Sequence, residues 1–178
     1  MRKRITLNVL DRKSVRSAIR QTEAYRRAYD RAVEAFLDAY CKAVVQTARE
    51  YAEAEHPIHS EQLIASIAWE ETGKYTRRVY VGDPAAKYYE FGTGPRGAAS
   101  PHPDPPEGWS YRDTPWFTRA DGKDMTSLYG WKPLYNAASD TVFYRTAGQP
   151  AHPFWYKTIQ TVTAQDYIDK VWQEVRAR

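Results

Sequence analysis

The chain has 178 residues and a mass of 20.6 kDa, and its 26 Lys and Arg against 22 Asp and Glu give a net charge of +4 and a pI near 9.1. That length suits one domain with a real core; one Cys excludes an internal disulfide framework or a multi-Cys zinc site, and no apolar run approaches the roughly 18 residues of a membrane span. Mean hydropathy is −0.74 although 42% of residues are hydrophobic, because 14 Tyr, 6 Trp and 5 Phe supply much of that content; this excludes full disorder and favours surfaces that meet other proteins.

The chain opens on Met1-Arg2-Lys3-Arg4, and the apolar stretch from Ile5 to Leu10 is broken by Thr6 and Asn8 and closed by Asp11-Arg12-Lys13. That is too short for an export signal, so a protein made and used in a cytoplasm is expected. Residues 2–31 hold ten Lys or Arg against three acids, an excess of seven positive charges. Such a basic arm (1–13) and first helical turns can touch nucleic-acid phosphates or an acidic partner, with Arg12, Lys13, Arg16 and Arg20 as the contacts. No block of five or six like charges occurs, so a solvated helix face accounts for it as well.

Residues 14–55 contain no Pro or Gly, and Tyr29, Val33, Phe36, Tyr40, Val44, Thr47 and Tyr51 recur at helical spacing. A long helix over 14–56 is predicted, capped by Ser14 and stopped at His56-Pro57. Its length exceeds an ordinary globular helix and points to helix–helix or subunit packing. Cys41 lies beside the stripe with Leu37 and Val45 and is read as core. Over 60–93 a short helix feeds a β-hairpin. Ile67 and Trp69 oppose Val81 and Val79 across a loop at 73–75, which also sets Glu70 and Glu71 against Arg78 and Arg77.

From 94 to 115 come six of the eleven prolines, so no regular element is expected there. The insert continues to residue 140 with Trp109, Tyr111, Trp116 and Phe117, then more aromatics over 128–135. Residues 141–146 read as a strand, and one last helix is expected from about Pro153 to Arg176, opened by Pro153 and anchored by Phe154. The prediction is one α+β domain: a long N-terminal helix and a C-terminal helix packed on a small antiparallel sheet, with a long Pro/Trp-rich insert.

Chemical motifs are weak. Gly92-Thr93-Gly94-Pro95-Arg96-Gly97 spells a dinucleotide-binding pattern, but the prolines that follow are expected to prevent the helix it needs, so the motif is rejected. His56 and His59 are split by Pro57, and all four His, including His102 and His152, are read as surface or capping residues. Asp83 and Glu90 flank Lys87 in a faintly nuclease-like way that a surface ion pair explains equally. No nucleophile elbow is present. No enzyme activity, cofactor or metal is expected.

Taken in order, several segments resemble a known family. A long helix precedes Ser60, Leu63, Ser66 and Ile67 in a Ser-x-x-Leu-x-x-Ser-Ile run and a hairpin; Tyr88 to Thr93 spell Tyr-x-Glu-Phe-Gly-Thr, and Pro150 to Phe154 spell Pro-Ala-x-Pro-Phe before a terminal helix. This is similar to the gene-product-ten-like tail-component family of lambdoid long-tailed bacteriophages, over roughly residues 14–176. The family's usual Thr-Gly is His59-Ser60 here, and the 94–140 insert lies outside the likeness. The resemblance implies a structural virion protein at the head–tail neck that completes or joins the tail. It implies assembly with itself as a ring, a hexamer with a dodecamer as the alternative, between connector or head-closure proteins and tail-terminator or tail-tube proteins. It also implies a place in the virion, host cytoplasm during assembly, and DNA passing through the channel. Candidate interface residues are Tyr29, Phe36, Tyr40, Tyr88, Tyr89, Glu90, Phe91, Gly92, Thr93, Trp109, Trp116, Pro150, Pro153 and Phe154. The alternative function is a nucleic-acid-binding module built on the basic arm.

Overall fold

The structure is a computed structural model. It describes residues 5, 7–55, 60–119, 125–126 and 131–177, without the side chains of 60 and 174–177. The predicted stop at His56-Pro57, the His59 reading and the basic residues 2–4 lie outside the described residues. The class is the expected one, mixed helix and strand with a long N-terminal helix, small antiparallel sheets and C-terminal helices.

Helix α1 runs from Arg12–Glu55. It starts two residues before the expected Ser14 because Asp11 is the cap: its carboxylate accepts the backbone N–H of Lys13 at 2.9 Å and of Ser14 at 3.2 Å. An anionic cap also complements the helix dipole. Ser14 instead accepts the N–H of Asn8 at 2.9 Å. The most buried stripe is not the aromatic one but its small-residue neighbour, Cys41, Val45, Ala48 and Ala52, with Val44 beside it. Small side chains let other elements approach the helix closely, and the large rings then flank that seam. Burial raises the pKa of the Cys41 thiol, as suits a core residue.

Helix α2 (Ser60–Ser66) leads straight into the hairpin β1 (Ile67–Gly73) and β2 (Thr76–Val81). Glu70 pairs with Arg78, Glu71 Oε1 lies 3.6 Å from Arg77, and the Thr72 and Thr76 hydroxyls meet at 3.2 Å. These are the cross-strand partners that the two-face pattern requires.

The chain divides by contacts into two compact units. The first takes Met1–Val45, Trp69–Val79 and Val162–Arg178. In it α6 (Ala164–Ala177) lies antiparallel to α1, with Tyr29 on Trp172 at 6.1 Å and Tyr40 on Tyr167 at 5.9 Å between ring centres. The hairpin tip is latched to α1: Lys74 Nζ and the Tyr75 hydroxyl reach the Asp30 carboxylate at 2.8 and 2.6 Å, and Arg77 Nε reaches Asp38 at 2.7 Å. Those bonds hold Asp30 below the usual carboxylate range.

The second unit takes Gln46–Ala68 and Tyr80–Thr161. Leu63, Ile67, Phe154 and Thr158 form its most buried centre, with Ala48 and Ala52. Short helices α3 (Ala86–Phe91) and α4 (Gly94–Ala99) follow the hairpin. The insert is therefore not devoid of regular structure. A helix begins at Gly94, with Pro95 in the first turn, where a missing N–H costs nothing. The insert also supplies two strands, β3 (Trp116–Arg119) and β4 (Pro133–Asn136), which pair antiparallel with either side of β5 (Thr141–Thr146). Helix α5 (Phe154–Thr161) ends at Val162-Thr163, so the single predicted C-terminal helix is two. Three successive β-branched residues, Thr161 to Thr163, disfavour continuation, and the Thr163 hydroxyl bonds Asp166 at 2.8 Å to open α6. Among the described residues no helix is long and apolar enough to cross a membrane.

Candidate functional site

Residues 88–93 and 150–154, with 56 residues between them in sequence, lie against each other in the second unit. Gly92 ends α3 with φ 74°, and Gly148 turns with φ 78°. A Cβ on Gly92 would sit 2.6 Å from the Ala151 nitrogen, and one on Gly148 would sit 1.9 Å from the Thr93 carbonyl oxygen. Glycine at both positions allows two backbones to touch. Thr93 N–H donates to the Gln149 carbonyl at 2.9 Å, and Gln149 N–H returns to the Thr93 carbonyl at 3.1 Å. His152 N–H reaches the Tyr89 carbonyl at 2.8 Å, and the Gln149 side-chain amide reaches the Tyr88 carbonyl at 2.8 Å.

At the centre is the Glu90 carboxylate, 6% exposed. It accepts the backbone N–H of Trp155 at 2.9 Å and of Tyr156 at 2.8 Å, so it caps α5 from another segment. Helix N-termini carry unsatisfied N–H groups and partial positive charge, which suits a buried anion. The third partner is His102, equally buried, whose Nε2 lies 3.1 Å from Glu90 Oε1. His102 Nδ1 accepts the N–H of Asp104 at 2.9 Å, which fixes the proton on Nε2 facing Glu90. The imidazole packs edge-on against Phe91 at 4.8 Å and Tyr156 at 5.3 Å. The Tyr111 hydroxyl closes the cluster by donating to the Phe91 carbonyl at 3.0 Å, and the Trp109 ring covers Phe91 at 5.0 Å.

Glu90 is thus not part of a surface ion pair with Asp83 and Lys87, and His102 is not a surface histidine. Glu90, Gly92 and Phe154 are buried within the chain and offer no surface to a partner. Pro150 and Pro153 are half-buried and aim the chain into α5, with Phe154 2% exposed as its anchor. Tyr89, Phe91, Thr93, Trp109 and Trp116 are half-buried in the same unit, whereas Tyr88 is exposed under Lys87. Phe36 and Tyr40 stack on each other in the first unit, and Tyr29 keeps an exposed edge. His152 sits 3.9 Å from Glu55, which also binds Lys157. Burial pushes the His152 pKa down against the pull of Glu55.

The glycine-rich run fails as a phosphate loop for a different reason than its prolines. The element before it is a helix rather than a strand, and Thr93 and Ala147 already occupy the loop through backbone bonds. Among the described residues no group of three or more His, Cys, Asp or Glu is placed to hold a metal ion.

Arg12, Lys13, Arg16 and Arg20 are all exposed on the first turns of α1. Together with Arg26, Arg27 and Arg31 they fall within roughly 140° of the helix circumference at 100° per residue. Val15, Ala18, Ile19 and Thr22 overlap the edge of that arc and, with Leu7 and Glu23, line an open recess of ≈ 290 Å³.

Sequence reasoning missed His102 and the strands β3 and β4. Comparison with protein-family models, curated proteins and solved structures returns no match for this chain.

Proposed function

We propose that this chain is a structural virion protein of a tailed bacteriophage or prophage, forming a ring at the head–tail neck and completing or joining the tail. One observation carries the reading: residues 88–93 and 150–154, the most specific parts of the family likeness, form one lock around a buried carboxylate that accepts hydrogen bonds from α5 and His102. Residues engaged in this way hold a scaffold and leave the exposed aromatics to make contacts. A ring needs two different complementary patches on each subunit, and the chain has exposed apolar side chains on α1, α6 and the β3-β5-β4 sheet. Deleting the gene from a phage or prophage that carries it tests the reading. Filled heads and finished but separate tails are the expected products; normal virions from the deletion strain reject it.

A second reading, a nucleic-acid-binding module, is favoured by the basic side of α1. It predicts duplex DNA binding that weakens steeply with salt and collapses when Arg12, Lys13, Arg16 and Arg20 become Ala. Binding that is unchanged in that variant removes it.

A further inference from the structure

The β3-β5-β4 sheet has one side that the described residues leave open. Residues paired across strands project to the same side. Phe117 opposes Arg145, Arg119 opposes Phe143, and Leu134 opposes Phe143 from the other neighbour. The core side is set by Tyr144 and Thr146, which are buried. The other side is open: Phe117 is 59% and Leu134 48% exposed, and both arginines are exposed. The Arg119 guanidinium stands 5.5 Å over the Phe143 ring. The result is an apolar patch studded with two cations, and none of the residues sharing that side is acidic.

The same unit presents a segment of opposite character. Residues 103–108 read Pro-Asp-Pro-Pro-Glu-Gly, and all six are exposed. Asp104 and Glu107 are its charges, and it has no cation. Both ends are held: Asp104 N–H is bound to the buried His102 imidazole, and Trp109 is fixed by its ring on Phe91 and its N–H on the Pro106 carbonyl at 3.0 Å. Three prolines further restrict the chain between those anchors. A segment already ordered loses little entropy on docking, and proline segments dock well on flat aromatic surfaces.

We propose that the open sheet side of one subunit takes segment 103–108 of a second copy of this chain, with Asp104 and Glu107 facing Arg119 and Arg145 and the prolines on Phe117, Phe143 and Leu134. The match of charge and of apolar surface selects this occupant. Because the two patches are different parts of one molecule, the contact is head-to-tail and each subunit uses both its patches, which is how a ring closes. The contact rests on the ring reading above and names one of its interfaces. It also gives the Glu90–His102 lock a purpose, since that lock holds the segment out.

The test uses the full chain and measures oligomeric state against concentration by mass photometry and sedimentation. The parent is expected to assemble. Arg119→Glu with Arg145→Glu, and separately Asp104→Lys with Glu107→Lys, should each raise the concentration for assembly at least about tenfold, with circular dichroism unchanged. Mixing the two variants should restore assembly, because each then meets the opposite charge. A parent that stays monomeric overturns the proposal, as do variants that assemble like the parent or a mixture that gives no rescue. Capture of single-stranded DNA by the parent that is lost in Phe117→Ala, with no self-association, assigns the sheet to nucleic acid and also overturns it. Rings that persist in both variants sink this contact alone, whereas normal virions from the deletion strain sink the neck reading.

Discussion

The two units are held by opposite means. The second is organised around a buried anion, Glu90, that satisfies two backbone N–H groups and an imidazole from two other segments. The first is held by half-exposed aromatic rings between α1 and α6 and by ion pairs at the hairpin tip. A buried polar network is costly to damage because each orphaned group loses water as well as its partner. The Lys74–Asp30 pair stays in reach of solvent and exchanges one partner for water at little loss, whereas the Arg77 side chain beside Asp38 is 4% exposed. The second unit should therefore respond to substitution abruptly and the first gradually.

The largest effect is expected for Phe154→Ala. The side chain is almost wholly buried at the start of α5, and its loss leaves a cavity worth about 4 kcal/mol. Chemical denaturation, with amide exchange to locate the loss, should place it in residues 46–68 and 80–161. Uniform loss across both units would show that the division by contacts has no energetic counterpart.

Next comes Glu90→Ala, which orphans the Trp155 and Tyr156 N–H groups and the His102 Nε2 proton, for about 3 kcal/mol. Glu90→Gln keeps one acceptor oxygen for Tyr156 and His102 but turns its NH₂ toward the Trp155 N–H, so it should cost about 2 kcal/mol, less than the alanine variant. Equal losses in the two variants would mean that shape rather than hydrogen bonding holds the site.

How much of each unit could be read in the sequence follows from the same contrast. Helix α1, the hairpin and its Glu–Arg partners are local, so periodicity and alternation display them. The Glu90 lock joins residues 12 and 65 positions apart, and neither pairing leaves a periodic trace. The available signal for His102 was a histidine among prolines, which composition assigns to the surface. Strands β3 and β4 have four residues each, and β4 begins with a proline, so both fall below the length at which alternation is informative. The order of the motifs pointed to their importance, but it could not show that their most polar member was buried.

In the first unit, Asp30→Asn is expected to lower the unfolding midpoint by less than Glu90→Ala. It weakens the bonds from Lys74 and Tyr75, and both Lys74 and the carboxylate remain in reach of solvent. The difference from the parent should shrink as salt rises from about 0.05 to about 1 M, where the Debye length falls to about 3 Å. The Asp30 pKa is depressed in the folded state, so its contribution is present above the ordinary carboxylate value and is lost as pH falls through the depressed one. A salt-independent difference would mean that the hydrogen-bond geometry, not the charge, latches the hairpin tip.

The smallest effect concerns His152, whose backbone N–H joins the two motifs while its side chain faces Glu55 and Lys157. Burial lowers its pKa, Glu55 raises it, and Lys157 lowers it further, so the folded value lies below the unfolded one of about 6.5. The folded protein then binds fewer protons than the unfolded chain as pH falls through that window. Stability from this group is complete above about pH 6.5, declines as acid protonates the unfolded chain, and levels off below the folded value. His152→Gln keeps the backbone bond and removes the titration. Urea midpoints at pH 7.5 and pH 5.5 should therefore differ less in this variant than in the parent, with the carboxylate contributions common to both. Identical pH dependence in the two proteins would mean that His152 is solvated enough to titrate at its ordinary value, and that the polar order of the second unit stops at Glu90 and His102.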